Sequence, residues 1–185
     1  LPSSNALFRS DENLNRLRYL PQPISSKNPD GLPIGWVKET YQGRDYIGLT
    51  CAACHTAQIN IGSTGIIVDG APGQADMDKM MREREASVAV TLEQSDKLSR
   101  MQQRLARADR GRSMEDLVQQ LTQILDELRH YNRTNAPIHD GNFVDYGFAR
   151  LDAFGRIYNR IFAHLTPGTY NFRPATTPVS YPFLW

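Results

Sequence analysis

The sequence predicts an all-α fold with long irregular segments and a helical insertion at about residues 74–130. Three observations carry this expectation. From Gln74 to about Tyr131 the chain is rich in Met, Arg, Glu, Gln and Leu and has few breakers, which favours helix. The one short run that reads as strand, Ile66-Ile67-Val68, is bounded by glycines. Elsewhere prolines and glycines interrupt the pattern often enough to predict coil.

In chain order, Ser10 precedes Asp11 and Glu12 and then Leu14, Leu17 and Leu20. This predicts a capped amphipathic helix that stops at Pro21. Residues 21–36 hold four prolines and two glycines, including the turn Asn28-Pro29-Asp30-Gly31, and read as extended and irregular. Residues 46–56 are expected to be helical, because their cysteines lie one helical turn apart. Residues 62–73 predict one short strand or hairpin at most. The following block reads as two or three helices. In it, Ser113 and Asp116 form a capping box before Leu117, Leu121, Ile124, Leu125 and Leu128, and Gly111 separates that helix from the one before. Residues 132–142 are a polar loop. Residues 147–163 predict an amphipathic helix with Phe148, Leu151, Phe154, Ile157 or Tyr158, and Ile161 on one side. From Thr166 onward the chain is proline-rich and irregular, and no internal repeat is visible.

The totals bound the function. The chain has 185 residues, 40% hydrophobic and 22% charged, which suits one globular domain or two small ones. Lys plus Arg (21) nearly balances Asp plus Glu (20), so no strong field points to nucleic acid or anionic lipid. Apolar runs such as Gly65-Ile66-Ile67-Val68 are far too short for a membrane span. The chain starts Leu1-Pro2-Ser3-Ser4, without an initiator Met, and stops at Phe183-Leu184-Trp185. We therefore expect a processed product, cut from a chain that continued past Trp185.

Cys51 and Cys54 are the only cysteines. A redox dithiol or half of a zinc site would use such a pair. Zinc would need further paired ligands, and a thioredoxin-like dithiol a βαβ setting, neither of which the sequence offers. The next residue, His55, decides. Cys51-Ala52-Ala53-Cys54-His55 is a C-x-x-C-H haem-attachment motif. Two cysteines one helical turn apart can both reach the porphyrin's vinyl groups and form thioethers, and the histidine that follows lies under the ring to bind iron. The expected cofactor is one covalent haem c on a cytochrome c-like domain, with His55 as proximal ligand. Such attachment takes place outside the bacterial inner membrane, so the expected location is the periplasm.

Other segments carry a resemblance to a family. Asn28-Pro29-Asp30-Gly31-Leu32-Pro33-Ile34-Gly35-Trp36 and Gly48-Leu49-Thr50-Cys51-Ala52-Ala53-Cys54-His55-Thr56-Ala57-Gln58-Ile59 resemble bacterial di-haem cytochromes. These are relatives of the di-haem cytochrome c peroxidases and of the rubber oxygenase (RoxA-like) group. The stretch Ala149-Arg150-Leu151-Asp152-Ala153-Phe154-Gly155-Arg156-Ile157-Tyr158-Asn159-Arg160 and the closing Pro178-Val179-Ser180-Tyr181-Pro182-Phe183-Leu184-Trp185 are similar too. The likeness covers most of residues 7–73 and 145–185, and the block 74–130 looks like a family-variable insertion. It implies the N-terminal haem domain of a longer two-haem protein, although no second C-x-x-C-H occurs here. By position Trp185 looks like the tryptophan that carries electrons between the two haems of the peroxidases. The alternative is a Trp packed on the haem edge.

The sixth iron ligand divides an electron carrier from a site that binds peroxide or oxygen. The candidates are His130, His139, His164, Met77, Met80, Met81, Met101 and Met114. His164 stands where the peroxidase resemblance implies a distal histidine. Met77, Met80 and Met81 are equally core-packing residues, His130 suits a helix C-terminus, and His139 lies in the polar loop. An open, apolar distal side, as the oxygenase resemblance implies, is the further alternative. Arg173 and Arg156 are candidates to neutralise haem propionates, against ordinary surface ion pairing. Residues 69–72 could pack beside the haem, with no chemical role assigned. The expected function is a haem c redox domain of a peroxidase-like di-haem oxidoreductase, partnered by a second haem domain or a redox protein. The alternatives are a mono-haem electron-transfer protein with a fixed sixth ligand and, last, a haem-based sensor.

Overall fold

Local capping starts the structure where the sequence places it. In the computed structural model, which describes residues 6–108, 110–136, 138–139, 141–166 and 171–185, Ser10 caps α1 (Asp11–Arg16) by accepting from the Asn13 N–H. The helix closes on Arg18, held at φ 61°. Arg18 N–H donates to Asn15 O, and Tyr19 N–H to Leu14 O, the paired bonds of a left-handed helix stop. Helix α1 therefore ends before Pro21 is reached. Leu14, Leu17 and Tyr19 are buried, and the Asn28 side chain bonds both the N–H and the carbonyl of Leu32.

The fold class then departs from expectation. The protein is not all-α but mixed α/β, with several antiparallel pairs of strands. β1 (Trp36–Tyr41) and β2 (Arg44–Leu49) form a hairpin, as do β3 (Thr56–Ile61) and β4 (Thr64–Asp69). Gln42 and Gly43 both have positive φ, so the first hairpin turns through the two-residue geometry that matches strand twist. Trp36, Val37, Tyr41, Tyr46 and Ile47 are strong strand formers that alternate poorly as a helix. Residues 46–56 accordingly are not helical: they hold the end of β2, a 3-10 turn (Cys51–Ala53) and the start of β3.

The chain divides into two compact units. One, Leu1–Phe8 with Lys79–Ala136, holds most of α2 (Met77–Glu93), α3 (Ser95–Arg107) and α4 (Met114–Thr134). Ser113 caps α4 by accepting from the Asp116 N–H at 3.0 Å. Leu117, Leu121, Leu125 and Leu128 are buried along its length. Leu98, Leu117 and Leu121 form a cluster that Val88, Leu92, Met101 and Leu105 close. Asn132 on α4 reaches Met81 O and Glu85 on α2.

The other unit, Arg9–Asp78 with Pro137–Trp185, carries the hairpins and the C-terminal segments. β5 (Ile138–His139) pairs with β6 (Asn142–Phe143), and β7 (Arg150–Leu151) with β8 (Val179–Ser180). The expected single helix over 147–163 is instead β7, α5 (Ala153–Asn159) and a π turn (Arg160–Leu165). Asp152 caps α5 through the Gly155 N–H and also accepts from Thr177 N–H. Of the apolar side expected there, Leu151 is buried, but Phe154, Ile157, Tyr158 and Ile161 are exposed. Arg156 and Asn159 point inward instead. Arg156 pairs with Asp78 at 2.5 Å, while Asn159 exchanges bonds with the backbone of Arg173.

Candidate functional site

The C-x-x-C-H motif bridges the two hairpins. Thr50 N–H at the end of β2 donates to Gly35 O at 2.8 Å. The turn then tightens, with the Cys54 and His55 N–H groups both donating to Cys51 O. Gly35, at φ 79°, backs against this turn so closely that a Cβ there would fall 2.0 Å from Ala53 N; only glycine fits. On the far side Gly70 N–H donates to His55 O at 2.7 Å, and Gly73 N–H to Cys54 O at 2.8 Å. Backbone bonds thus fix the motif from both sides, and the chain leaves it as strand rather than helix.

Both cysteines are free thiols, Cys51 exposed and Cys54 partly buried. Burial pushes the Cys54 thiol up from its ordinary value; a hydrogen bond from Tyr181 lowers it, and neighbouring Cys51 adds to the rise. The Tyr181 phenol is itself pushed well up, chiefly by burial and then by Cys54. It stays protonated and donates to Ala75 O at 3.3 Å. Its ring lies 6.0 Å from that of His55. The imidazole is half-buried, with Nδ1 2.8 Å from Pro182 O. A carbonyl can only accept, so Nδ1 carries the proton and Nε2 keeps its lone pair.

The C-terminal segment, irregular after β8, runs on past this contact. Leu184 N–H donates to Gly70 O at 3.0 Å, and the Trp185 ring covers Gly70, where a Cβ would meet it at 2.6 Å. Phe183 stands edge-on to Trp185, with centroids 5.2 Å apart. The structure therefore brings Cys51, Cys54, His55 and Trp185 into one neighbourhood.

These residues fit a covalently attached haem. Two free thiols precede an imidazole whose outer nitrogen is already committed to a carbonyl, the usual support of a metal-ligating histidine. Phe183, Leu184 and Trp185 leave large apolar surface exposed beside them. Among the described residues no group of three or more His, Cys, Asp or Glu side chains is arranged to hold a bare metal ion.

The remaining candidates fall elsewhere. Arg156 is bound to Asp78 with both side chains under a tenth exposed, so it does not reach out to a propionate. Arg173 is exposed, and its guanidinium donates to Phe172 O. Met77 opens α2 half-buried. Met80, Met81, Met101, Met114 and His130 belong to the helical unit. There Met80 and Met81 are buried, Met101 packs on the leucine cluster, and Met114 begins α4. The side chains of His139 and His164 lie outside the described residues.

The chain has a relative about three times its length. It is similar to Uncharacterized protein y4iJ of Sinorhizobium fredii (strain NBRC 101917 / NGR234), at 26% identity over 199 residues. The match takes in 96% of this chain and 32% of y4iJ, so the chain spans about a third of that relative. No protein-family profile matches the chain, and no solved structure matches it. Among the described residues no helix is long and apolar enough to cross a membrane.

Sequence reasoning missed Tyr181 and Pro182 as parts of the site. Pro182 lies 127 residues from His55, and a carbonyl acceptor leaves no trace in side-chain identity.

Proposed function

We propose that this chain is a haem c-binding redox domain of a peroxidase-like oxidoreductase that works in the periplasm. Cys51 and Cys54 hold the haem by thioethers, and His55 Nε2 is the proximal iron ligand. One observation carries the reading: the contact of 2.8 Å between His55 Nδ1 and Pro182 O, directly after two free thiols. It leaves the free lone pair on Nε2 and raises the imidazole's strength as a ligand. When bound, haem c supplies an iron that changes oxidation state. The protein's part is to anchor and orient it and to cover one edge with apolar side chains. Trp185, seated on Gly70 at the end of the same C-terminal segment, gives electrons a route to a second haem or a redox partner. The greater length of y4iJ is in keeping with a two-haem protein of which this chain is one part.

The test is expression with export and a bacterial haem-attachment system, followed by acid-acetone extraction and a reduced spectrum. The chain should retain a c-type haem through extraction, and the double variant Cys51→Ser with Cys54→Ser should lose it completely. Haem retained by the double variant, or none on the parent chain, overturns the reading. Carbon monoxide then separates the two forms of the function. A shifted spectrum means an open site and peroxidase- or oxygenase-like chemistry; an unmoved one means a fixed sixth ligand and an electron carrier.

A further inference from the structure

We propose that Tyr181 is a positioning residue for the His55 imidazole: its phenol, tied to the Ala75 carbonyl, holds the Pro182 carbonyl on His55 Nδ1. The use of that imidazole as a haem ligand rests on the function proposed above; the positioning itself does not.

Pro182 has no N–H, so this residue cannot anchor itself to a neighbouring strand. Its carbonyl stays on His55 only if the flanking residues hold the backbone. On one side Leu184 N–H donates to Gly70 O at 3.0 Å. On the other, Tyr181 N–H reaches Ala149 O at 3.3 Å, a long bond. Tyr181 adds a second tie, its Oη donating to Ala75 O at 3.3 Å. The two ties converge, because Ala149 N–H also donates to Ala75 O. Ala75, Ala149 and Tyr181 therefore close a ring of three hydrogen bonds beside the motif.

Ala149 shows that the ring is specified. It sits at φ 60°, in the left-handed region that an alanine adopts only when its surroundings impose it. That conformation lets one residue direct its N–H to Ala75 and its carbonyl to Tyr181. All three are well placed for the role: Ala75 and Tyr181 are buried at 2% and 5% exposure, and β7 pairs with β8 between Ala149 and Tyr181. The Tyr181 ring also lies 6.0 Å from that of His55, beside the imidazole whose acceptor it holds.

The test compares the parent chain with Tyr181→Phe, which removes one hydroxyl and keeps the ring, and with Ala149→Gly, which relieves φ and keeps every bond of the ring. In the thiol form without haem, NMR of the His55 side chain should show the Nδ1–H tautomer. In Tyr181→Phe that proton should exchange about fivefold faster, as expected when one ordinary hydrogen bond is lost. In Ala149→Gly it should exchange as in the parent. In haem-loaded protein Tyr181→Phe should raise the midpoint potential, since a weaker Nδ1–H···O bond makes the imidazole a poorer donor to ferric iron. A Tyr181→Phe chain that melts earlier with Nδ1–H exchange unchanged makes Tyr181 merely structural and overturns the proposal. An Nε2–H tautomer in the parent overturns it too. Faster exchange in a chain that never acquires covalent haem upholds the positioning while the haem reading falls.

Discussion

The helical unit and the motif-bearing unit both bury leucines, but they differ in the polar groups buried with them and in how much apolar surface they leave exposed. On α4, Leu117, Leu121, Leu125 and Leu128 are 3–6% exposed, and the polar residues between them face water. In the other unit Ile47, Ile61 and Phe154 are 56%, 64% and 67% exposed. Its buried list includes Asp76, Asp78, Asp152, Arg156 and Asn159. The first unit is stabilised by burial of aliphatic side chains. The second depends on buried polar pairs, two-stranded ladders and the ring of bonds around Ala75. A short hairpin is marginal in water by itself.

The comparison breaks most readily at the buried charges. Arg156→Ala removes the cation that faces Asp78, a carboxylate with 5% of its side chain exposed, and should destabilise its unit by about 3–5 kcal/mol. The two tryptophans, Trp36 and Trp185, both belong to that unit. Urea titration followed by tryptophan fluorescence should therefore report the loss. A fluorescence midpoint that does not move would mean that the pair is solvated in solution. The matching change in the helical unit is Leu121→Ala, with an expected cost of about 2–5 kcal/mol from the lost packing and the cavity left behind. Here the signal to follow is helical circular dichroism. If Leu121→Ala moved the tryptophan signal and left the helical one alone, the division into two differently stabilised units would be wrong.

What the sequence disclosed follows the reach of each signal along the chain. Helices α1 and α4 were legible because their signals are local: Ser10 and Ser113 cap them, and Leu117 to Leu128 repeat at helical spacing. Of the two long hairpins only β4 (Thr64–Asp69) was, within the strand or hairpin expected over 62–73. Gln42-Gly43 is a weaker turn signal than Asn-Gly, and expecting a helix through Cys51 to His55 hid β2 and β3. The inverted burial of α5 was illegible because the partners of its polar face are distant. Arg156 answers to Asp78, and Asn159 to the backbone of Arg173. Periodicity alone assigns the apolar stripe inward and has no means of seeing those partners. In the candidate site the same holds: spacing reveals Cys51, Cys54 and His55, whereas the groups that orient His55 arrive from residues 181 and 182.

The smallest effect is the sharpest test of the inversion. On a conventional amphipathic helix, Phe154 would be a core residue, and truncating it would cost about 3–5 kcal/mol. Here it is 67% exposed and stacks on Tyr158, 6.2 Å away, which is itself half exposed. Phe154→Ser should then change the fluorescence-monitored stability by no more than about 0.5 kcal/mol, the range of ordinary surface substitutions. A loss above about 2 kcal/mol would mean that the stripe of Phe154, Tyr158 and Phe162 is covered in solution. Repeating the titration over a range of protein concentrations would then identify the cover. A loss that grows with concentration assigns it to a second copy of the chain; a constant loss returns Phe154 to the core, and α5 to the orientation its apolar spacing first suggests.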